Sequence, residues 1–100
     1  MTMMTLHQAL GFIQQHIPQA MLVGDGAVPL LRVHSDSRSL QVGDLFVALK
    51  GERFDGNAFL AQAKATGAVA ALCSADPRSA GLRGIVVPDT LKALGALATA

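Results

Sequence analysis

Leu6, Ala9, Leu10, Ile13 and Ile17 recur at the three- and four-residue spacing of one helical face, which predicts an amphipathic helix over residues 5–17. Thr5 and Gln8 have the types and spacing of a capping box, and Pro18 supplies a stop. "MLVGDGAVPLLRVHS" predicts a short strand, a Gly-Asp-Gly turn and a second strand from about Leu30 to Ser35. After a Gly43-Asp44 turn, "DLFVAL" is a continuous apolar run of strand length, and "AVAALC" and "GIVV" are two more. Between the first two, "NAFLAQAKATG" reads as a helix with Asn57 as N-cap, Phe59, Leu60 and Ala63 facing inward, and Gly67 as the stop. Asp76-Pro77 and Gly81 punctuate a loop, and Asp89 caps a last helix through "TLKALGALATA".

From Leu45 onward the order is strand, helix, strand, strand, helix. A strand–helix–strand unit closes by pairing its strands in parallel, so the expected fold class is α/β, a small sheet with helices packed on it. A chain of 100 residues is one domain's worth, and hydrophobic and charged contents of 51% and 15% argue for a packed core over disorder. The chain stops on "GALATA", a helix-forming stretch with no stop signal, which suggests a fragment.

Charge and cysteine use narrow the function classes. The formal net charge is +1 with no Lys/Arg run, and Trp and Tyr are absent, so neither a phosphate-binding stripe nor a stacking platform for nucleic acid is present. No apolar stretch approaches the ~20 residues that span a bilayer, and the N-terminus lacks a basic signal-peptide region. Cys73 is the single cysteine and lies in an apolar run, which predicts a buried thiol in a reducing, cytoplasmic setting. His7, His16 and His34 show no metal-ligand spacing, so all three read as structural or solvent-facing and no metal site is expected. "GDGAVP" precedes a strand and lacks the third glycine of a dinucleotide loop, and no G-x-x-x-x-G-K-[ST] run occurs. The chain alone is therefore expected to bind no ATP and to be inactive.

Polar variety concentrates in residues 34–59, "HSDSRSLQVGDLFVALKGERFDGNAF". Asp36 and Asp44 suit turns, and Asp55 precedes a glycine, so each carboxylate has a local task before any catalytic one. A nucleophilic Ser37 has no evident base, and no catalytic residue is expected. Binding fits better. Ser35 and Ser37 suit sugar hydroxyls or a pyrimidine edge, Arg38 and Arg53 offer planar forks to carbonyl or phosphate oxygens, and Phe54 offers a flat face. The helix start near Asn57 can present free N–H groups to a ligand. Glu52 and Asp55 would repel a diphosphate there, which favours a neutral part of the ligand.

"SDSRSLQVGDLFVALKGERFDGNAFLAQAKATGAVAAL", with "VVPDTLKALGALA" after it, resembles the N-terminal domain of the Mur ligases. The shared order is Asp-Ser-Arg, Gly-Asp-Leu-Phe-Val-Ala, Gly, Asp-Gly, a helix ending in Gly-Ala and an apolar strand, from about Ser35 to Leu72; the first 30 residues match only in layout. The resemblance implies residues 1–100 as a substrate domain, with a central ATPase domain and a C-terminal domain outside this chain. It implies a peptidoglycan ligase that uses ATP and Mg2+ to phosphorylate the terminal carboxylate of a UDP-N-acetylmuramoyl peptide, whose acyl phosphate an amine then attacks. Within the family, "ALKGERFDGNAF" and "VPDTLKALGALA" look most like the ligase that adds D-alanyl-D-alanine, while Gly56 leans towards the one that adds the third amino acid. A non-catalytic module of the same fold is the alternative from another class. Carried over by position, the uridine contacts of the ligase that adds the third amino acid fall at Ser35 and Ser37, and further family contacts at Glu52, Arg53 and Phe54; Arg38 joins them through its guanidinium chemistry. The implied partners are the UDP-sugar peptide and the two other domains, with no nucleic acid and no membrane.

Overall fold

The computed structural model describes residues 4–36, 39–49 and 55–98. The chain runs through β1 (Met4–Thr5), α1 (Leu6–Gln14), β2 (Met21–Val23), β3 (Pro29–Leu30), β4 (Arg32–His34), β5 (Asp44–Val47), α2 (Leu60–Thr66), β6 (Ala70–Cys73), β7 (Arg83–Val86) and α3 (Thr90–Ala98). Single 3-10 turns at Gly56–Phe59 and Pro77–Ala80 precede α2 and β7.

Among the described residues, the main sheet has the order β2-β7-β6-β5-β4. Its β4, β5, β6 and β7 are mutually parallel, and β2 closes one edge antiparallel to β7. The α/β expectation therefore holds. Strands β5 and β6 are buried at every position, as strands covered on both faces must be. Side chains alternate between those faces. Leu45, Val47, Ala70, Leu72, Ile85 and Val87 share one apolar cluster with Leu6, Ala9, Leu10 and Ile13 of α1 and Ala93 and Leu97 of α3. Phe46, Ala48, Ala71 and Cys73 share the other with Leu60 and Ala63 of α2. The result is three layers, with α1 and α3 on one side of the sheet and α2 on the other.

The capping box at α1 forms as expected: Gln8 N–H donates to Thr5 Oγ1 at 3.2 Å and Thr5 N–H to Gln8 Oε1 at 2.9 Å. Leu6 and His7 N–H groups donate to the carbonyls of Val28 and Gly26 at 3.0 and 2.7 Å, so the first turn of this helix has no donor left for a ligand. The regular helix ends at Gln14, earlier than the apolar spacing suggests, because Pro18 disfavours helical backbone at the residue before it. Ile17 still reaches the core, 3% exposed, through one more bond to the Ile13 carbonyl at 2.8 Å.

Three further expectations are corrected. The run from Leu30 to Ser35 is not one strand: β3 pairs antiparallel with β1, β4 pairs parallel with β5, and Leu31 turns between them with its N–H on the Gly43 carbonyl at 3.0 Å. Asn57 is not the N-cap of α2. The Asp55 side chain caps the 3-10 turn by accepting from Asn57 N–H at 3.0 Å. Phe59 is only half-buried, at the rim of the second cluster, whereas Phe46 is 1% exposed at its centre.

Asp44 also does more than turn the chain. It is 1% exposed at the start of β5, opposite Arg32 at the start of β4. Arg32 donates to it twice, Nε to Oδ1 at 3.1 Å and Nη2 to Oδ2 at 2.8 Å, and Gln41 N–H donates to Oδ2 at 2.8 Å. Arg32 Nη2 also reaches the Ser39 carbonyl at 3.3 Å. Burial by itself pushes the Asp44 carboxyl up, but the Arg32 fork, the Gln41 N–H and the positive charge nearby outweigh it, and its pKa falls below the ordinary value.

Two expectations follow. Phe46→Ala should cost on the order of 3–5 kcal/mol in urea unfolding, and Phe59→Ala about 1–2 kcal/mol, because only the first leaves a closed cavity. Equal losses would show that Phe59 is as deeply packed as Phe46. Because the folded pKa of Asp44 is depressed, its stabilisation is complete above the unfolded value of about 4 and is lost as pH falls through the folded value. Asp44→Ala should therefore lower stability by about 2 kcal/mol at neutral pH. In the same series the gap to wild type should close as pH falls through the folded value, and a gap that stays constant with pH would exclude the ionic contribution.

Candidate functional site

The four parallel strands all end at one edge of the sheet. Ligands of open α/β sheets bind at this carboxyl edge, because the loops that leave it are free of ladder hydrogen bonds. Ser35 and Asp36 follow β4, Ala48 and Leu49 follow β5, Ser74 follows β6, and Pro88 and Asp89 follow β7.

Of the expected binding residues, Ser35 is exposed at the end of β4. Ser37, Arg38, Glu52, Arg53 and Phe54 lie outside the described residues. Their flanks are fixed. Ser39 N–H donates to the Asp36 carbonyl at 3.2 Å, which holds the two sides of Ser37 and Arg38 together. Gly56 N–H donates to the Leu49 carbonyl at 2.7 Å, which joins the two sides of the stretch containing Glu52, Arg53 and Phe54. His34 and Phe46 are register partners, so both pairs of flanks emerge from neighbouring strands at the same edge. Gly56 is required there for space: a Cβ on it would sit 2.8 Å from both the Ala48 Cα and the Leu49 carbonyl oxygen.

The helix start near Asn57 does not offer free donors. Gly56 N–H is used by Leu49 and Asn57 N–H by the Asp55 carboxylate. The Asn57 amide instead bridges two loops. Its Oδ1 accepts from the N–H groups of Ser74 and Ala75, both at 3.0 Å, and its Nδ2 donates to Ser74 Oγ at 2.9 Å and to Asp55 Oδ1 at 2.7 Å. This cross-link ties the loop after β5 to the loop after β6. Sequence spacing carries no sign of it, since the partners are far apart along the chain.

Around this edge the titratable groups are few. His34 is half-buried, and its Nε2 is buried with no hydrogen-bond partner, so the solvent-facing reading fails for that atom. His7 and His16 are exposed on α1 and beyond it, as expected. Cys73 is buried, and burial together with the Asp76 charge pushes its thiol up to about 12, which leaves no thiolate for chemistry at neutral pH. No group of three His, Cys, Asp or Glu side chains that could hold a metal ion occurs among the described residues. Asp89 caps α3 by accepting from Lys92 N–H at 3.1 Å, as its position in the sequence predicts. A hollow of about 260 Å³ lies beside it, lined by Ser74, Pro88, Asp89, Thr90 and Leu91. No helix among the described residues is long and apolar enough to cross a membrane.

Comparison with known proteins places the chain in a family. The family model described as "Mur ligase family, catalytic domain" matches residues 32–100. UDP-N-acetylmuramoyl-tripeptide–D-alanyl-D-alanine ligase of Haemophilus influenzae is 42% identical over 82 residues, covering 82% of this chain and 18% of that protein. UDP-N-acetylmuramoyl-L-alanyl-D-glutamate–2,6-diaminopimelate ligase of Bacteroides thetaiotaomicron is 36% identical over 98 residues, covering 96% of this chain and 20% of that protein. Among solved structures, MurF from Acinetobacter baumannii superposes with a TM-score of 0.75 at 36% identity, over 94% of this chain and 20% of that one. The chain thus spans about a fifth of the length of the relatives it matches. It belongs to the Mur ligase family and has the fold of the N-terminal domain of those peptidoglycan ligases.

Proposed function

We propose that the chain, residues 1–100, is a substrate domain that recognises the UDP end of a UDP-N-acetylmuramoyl peptide, in a ligase that joins D-alanyl-D-alanine to the tripeptide. The observation that carries this reading is the pairing of flanks at the ends of β4 and β5. It brings Ser35, Asp36 and Ser39, the flanks of Ser37 and Arg38, towards Leu49 and Gly56, within whose span Glu52, Arg53 and Phe54 fall in the sequence, at the edge where α/β sheets receive ligands. Hydroxyls and guanidinium groups at one edge suit a pyrimidine edge and phosphate oxygens. The Haemophilus influenzae and Acinetobacter baumannii proteins support the D-alanyl-D-alanine-adding assignment over that of the third-amino-acid-adding ligase. Gly56 does not speak against it, because close approach of the β5 backbone demands glycine there whatever the substrate.

Chemistry on the substrate belongs elsewhere in such a ligase. The sequence has no phosphate loop with a following lysine, and the described residues offer no metal cluster, so the residues present do not fit ATP with Mg2+. Their part is to hold and orient the nucleotide end while other domains supply ATP, the metal and the amine. A nucleotide-sugar ligand and a buried, unoxidised Cys73 both suit a cytoplasmic setting.

An amide-shift titration with the UDP-sugar peptide should move Ser35, Asp36, Leu49 and Gly56. Ser37→Ala should weaken binding by up to roughly tenfold, one uncharged hydrogen bond, without lowering Tm. Silence of these amides at millimolar ligand would exclude the uridine site. Substrate choice is checked by grafting. Placed in the Haemophilus influenzae D-alanyl-D-alanine ligase in exchange for the matching segment, the chain should keep kcat/KM within about tenfold, a loss of no more than about 1.4 kcal/mol. In the Bacteroides thetaiotaomicron diaminopimelate ligase it should lose far more, and the reverse ranking would assign it to the third-amino-acid step.

A further inference from the structure

Among the described residues, His34 Nε2 is a side-chain polar atom buried without a hydrogen-bond partner. A native fold that leaves such an atom unpaired gives up stability, and at a binding edge the loss points to a use. His34 ends β4, directly before Ser35 and Asp36, and its register partner is Phe46. Alternation puts Arg32 and His34 on one face of β4, beside Asp44 and Phe46 of β5, on the side of the sheet that α2 covers. The ring as a whole is half-buried, so its Nε2 end lies inside while solvent reaches the rest. The charged side chains carried by the elements around it are Arg32, Asp36, Asp44, Asp55 and Lys64, and none of them bonds Nε2. Asp44 already accepts two bonds from Arg32 and one from Gln41 N–H. Asp55 accepts from Asn57, and Lys64 lies against Gly81, ahead of β7 and so towards the opposite edge of the sheet.

An unpaired buried nitrogen decides which charge state the edge is built for. A neutral imidazole with its proton on Nδ1 leaves only a lone pair at Nε2, the state that apolar surroundings tolerate best. The imidazolium puts an N–H donor and a positive charge there, and burying both without an acceptor costs far more. Arg32, two residues back on the same face, adds repulsion, and the Asp44 carboxylate that would offset it is engaged by Arg32 and Gln41. We propose that His34 is a proton-operated switch of the carboxyl edge. Neutral, it lets β4 end where Ser35 and Asp36 are presented; protonated, its ring turns out to water and displaces them. The turn is short because the ring is already partly exposed, so the response stays at the end of β4 and leaves the sheet folded. The ligand so regulated rests on the uridine reading above. Affinity belongs to the neutral ring, so it is lost as pH falls through the range of about pH 8 to 5 where histidine takes its charge.

Uridine is the probe, because a phosphate would itself titrate in the same range. The chain is titrated with it at about pH 7.5 and about pH 5.5, following the amides of Ser35, Leu49 and Gly56. Wild type should bind roughly three- to tenfold more weakly at the lower pH. His34→Gln takes no proton and should bind equally at both, while His7 and His16, still present, serve as the internal control. His34→Phe should behave the same way and hold or raise Tm at the higher pH, because it removes an unpaired buried nitrogen. In wild type without ligand, the Ser35 and Asp36 amides should follow the charge of the His34 ring, read from its own signals, while Leu72 and Ile85 stay still. Equal wild-type affinity at the two pH values, or the same pH response in His34→Gln, overturns the switch and leaves uridine recognition standing. If uridine moves no amide at either pH, the uridine reading falls and the ligand-free titration decides the switch by itself. It decides likewise where a variant does not fold: Ser35 and Asp36 following the ring uphold the switch, and amides that stay still overturn it.

Discussion

Parallel strands ordinarily need a crossover of a dozen or more residues, usually with a helix to bury against the sheet. Between β4 and β5 the chain has only residues 35–43, and none of the described residues among them is helical. The Arg32–Asp44 pair takes the place of that helix. Its two parallel bonds join the starts of the two strands, and the same carboxylate and guanidinium groups also bind Gln41 and Ser39 of the returning segment. The connection must leave the carboxyl edge at Ser35 and come back to the opposite edge at Asp44, and the clamp fixes where it arrives. A buried carboxylate without this partner would be a liability, since desolvation disfavours its charge. With the partner in place, Ser39 and Gln41 of the returning segment are held against the starts of β4 and β5.

That placement decides what the fold can do. Asn57 makes the equivalent tie one strand further along, by spending its whole amide on Asp55, Ser74 and Ala75. Side chains thereby fix Ser39 and Gln41 before β5 and tie Asp55 and Asn57 to the start of the loop after β6, while the apolar clusters on both faces of the sheet fix the strands. A binding edge built on rigid strands loses less entropy on meeting its ligand than one built on free loops. The short 3-10 turns before α2 and β7 belong to the same economy, each closed by an aspartate that accepts from the N–H two residues on.

The sheet and its helices were legible because their signals are local. Apolar alternation and helical spacing report burial residue by residue, and Thr5, Gly67 and Asp89 mark ends through bonds made within a few residues. Asp44 does close a turn, as its sequence position suggests, but its ion pair was not legible because the partner, Arg32, lies across a strand pair. The spacing of two charged residues does not say which strands lie side by side. Asn57 was misread for the same reason: Asn is a good cap, and only the position of Ser74 shows that its side chain has a better use. Phe59 follows the helical period yet sits at the rim, since the first turn of its helix is 3-10 and rotates it off the inward line. Family resemblance supplied what spacing could not, namely the expectation that two polar stretches belong to one site.

Charge is unevenly spread along the carboxyl edge. Towards β6 and β7 the edge presents Ser74, Thr90 and the Asp89 carboxylate, with no cation lining the hollow. Arg38 and Arg53, the guanidinium groups assigned to the ligand, belong to the stretches after β4 and β5. The N–H groups at the start of α3 would otherwise attract an anion. Asp89, by capping α3, fills that place with its own charge.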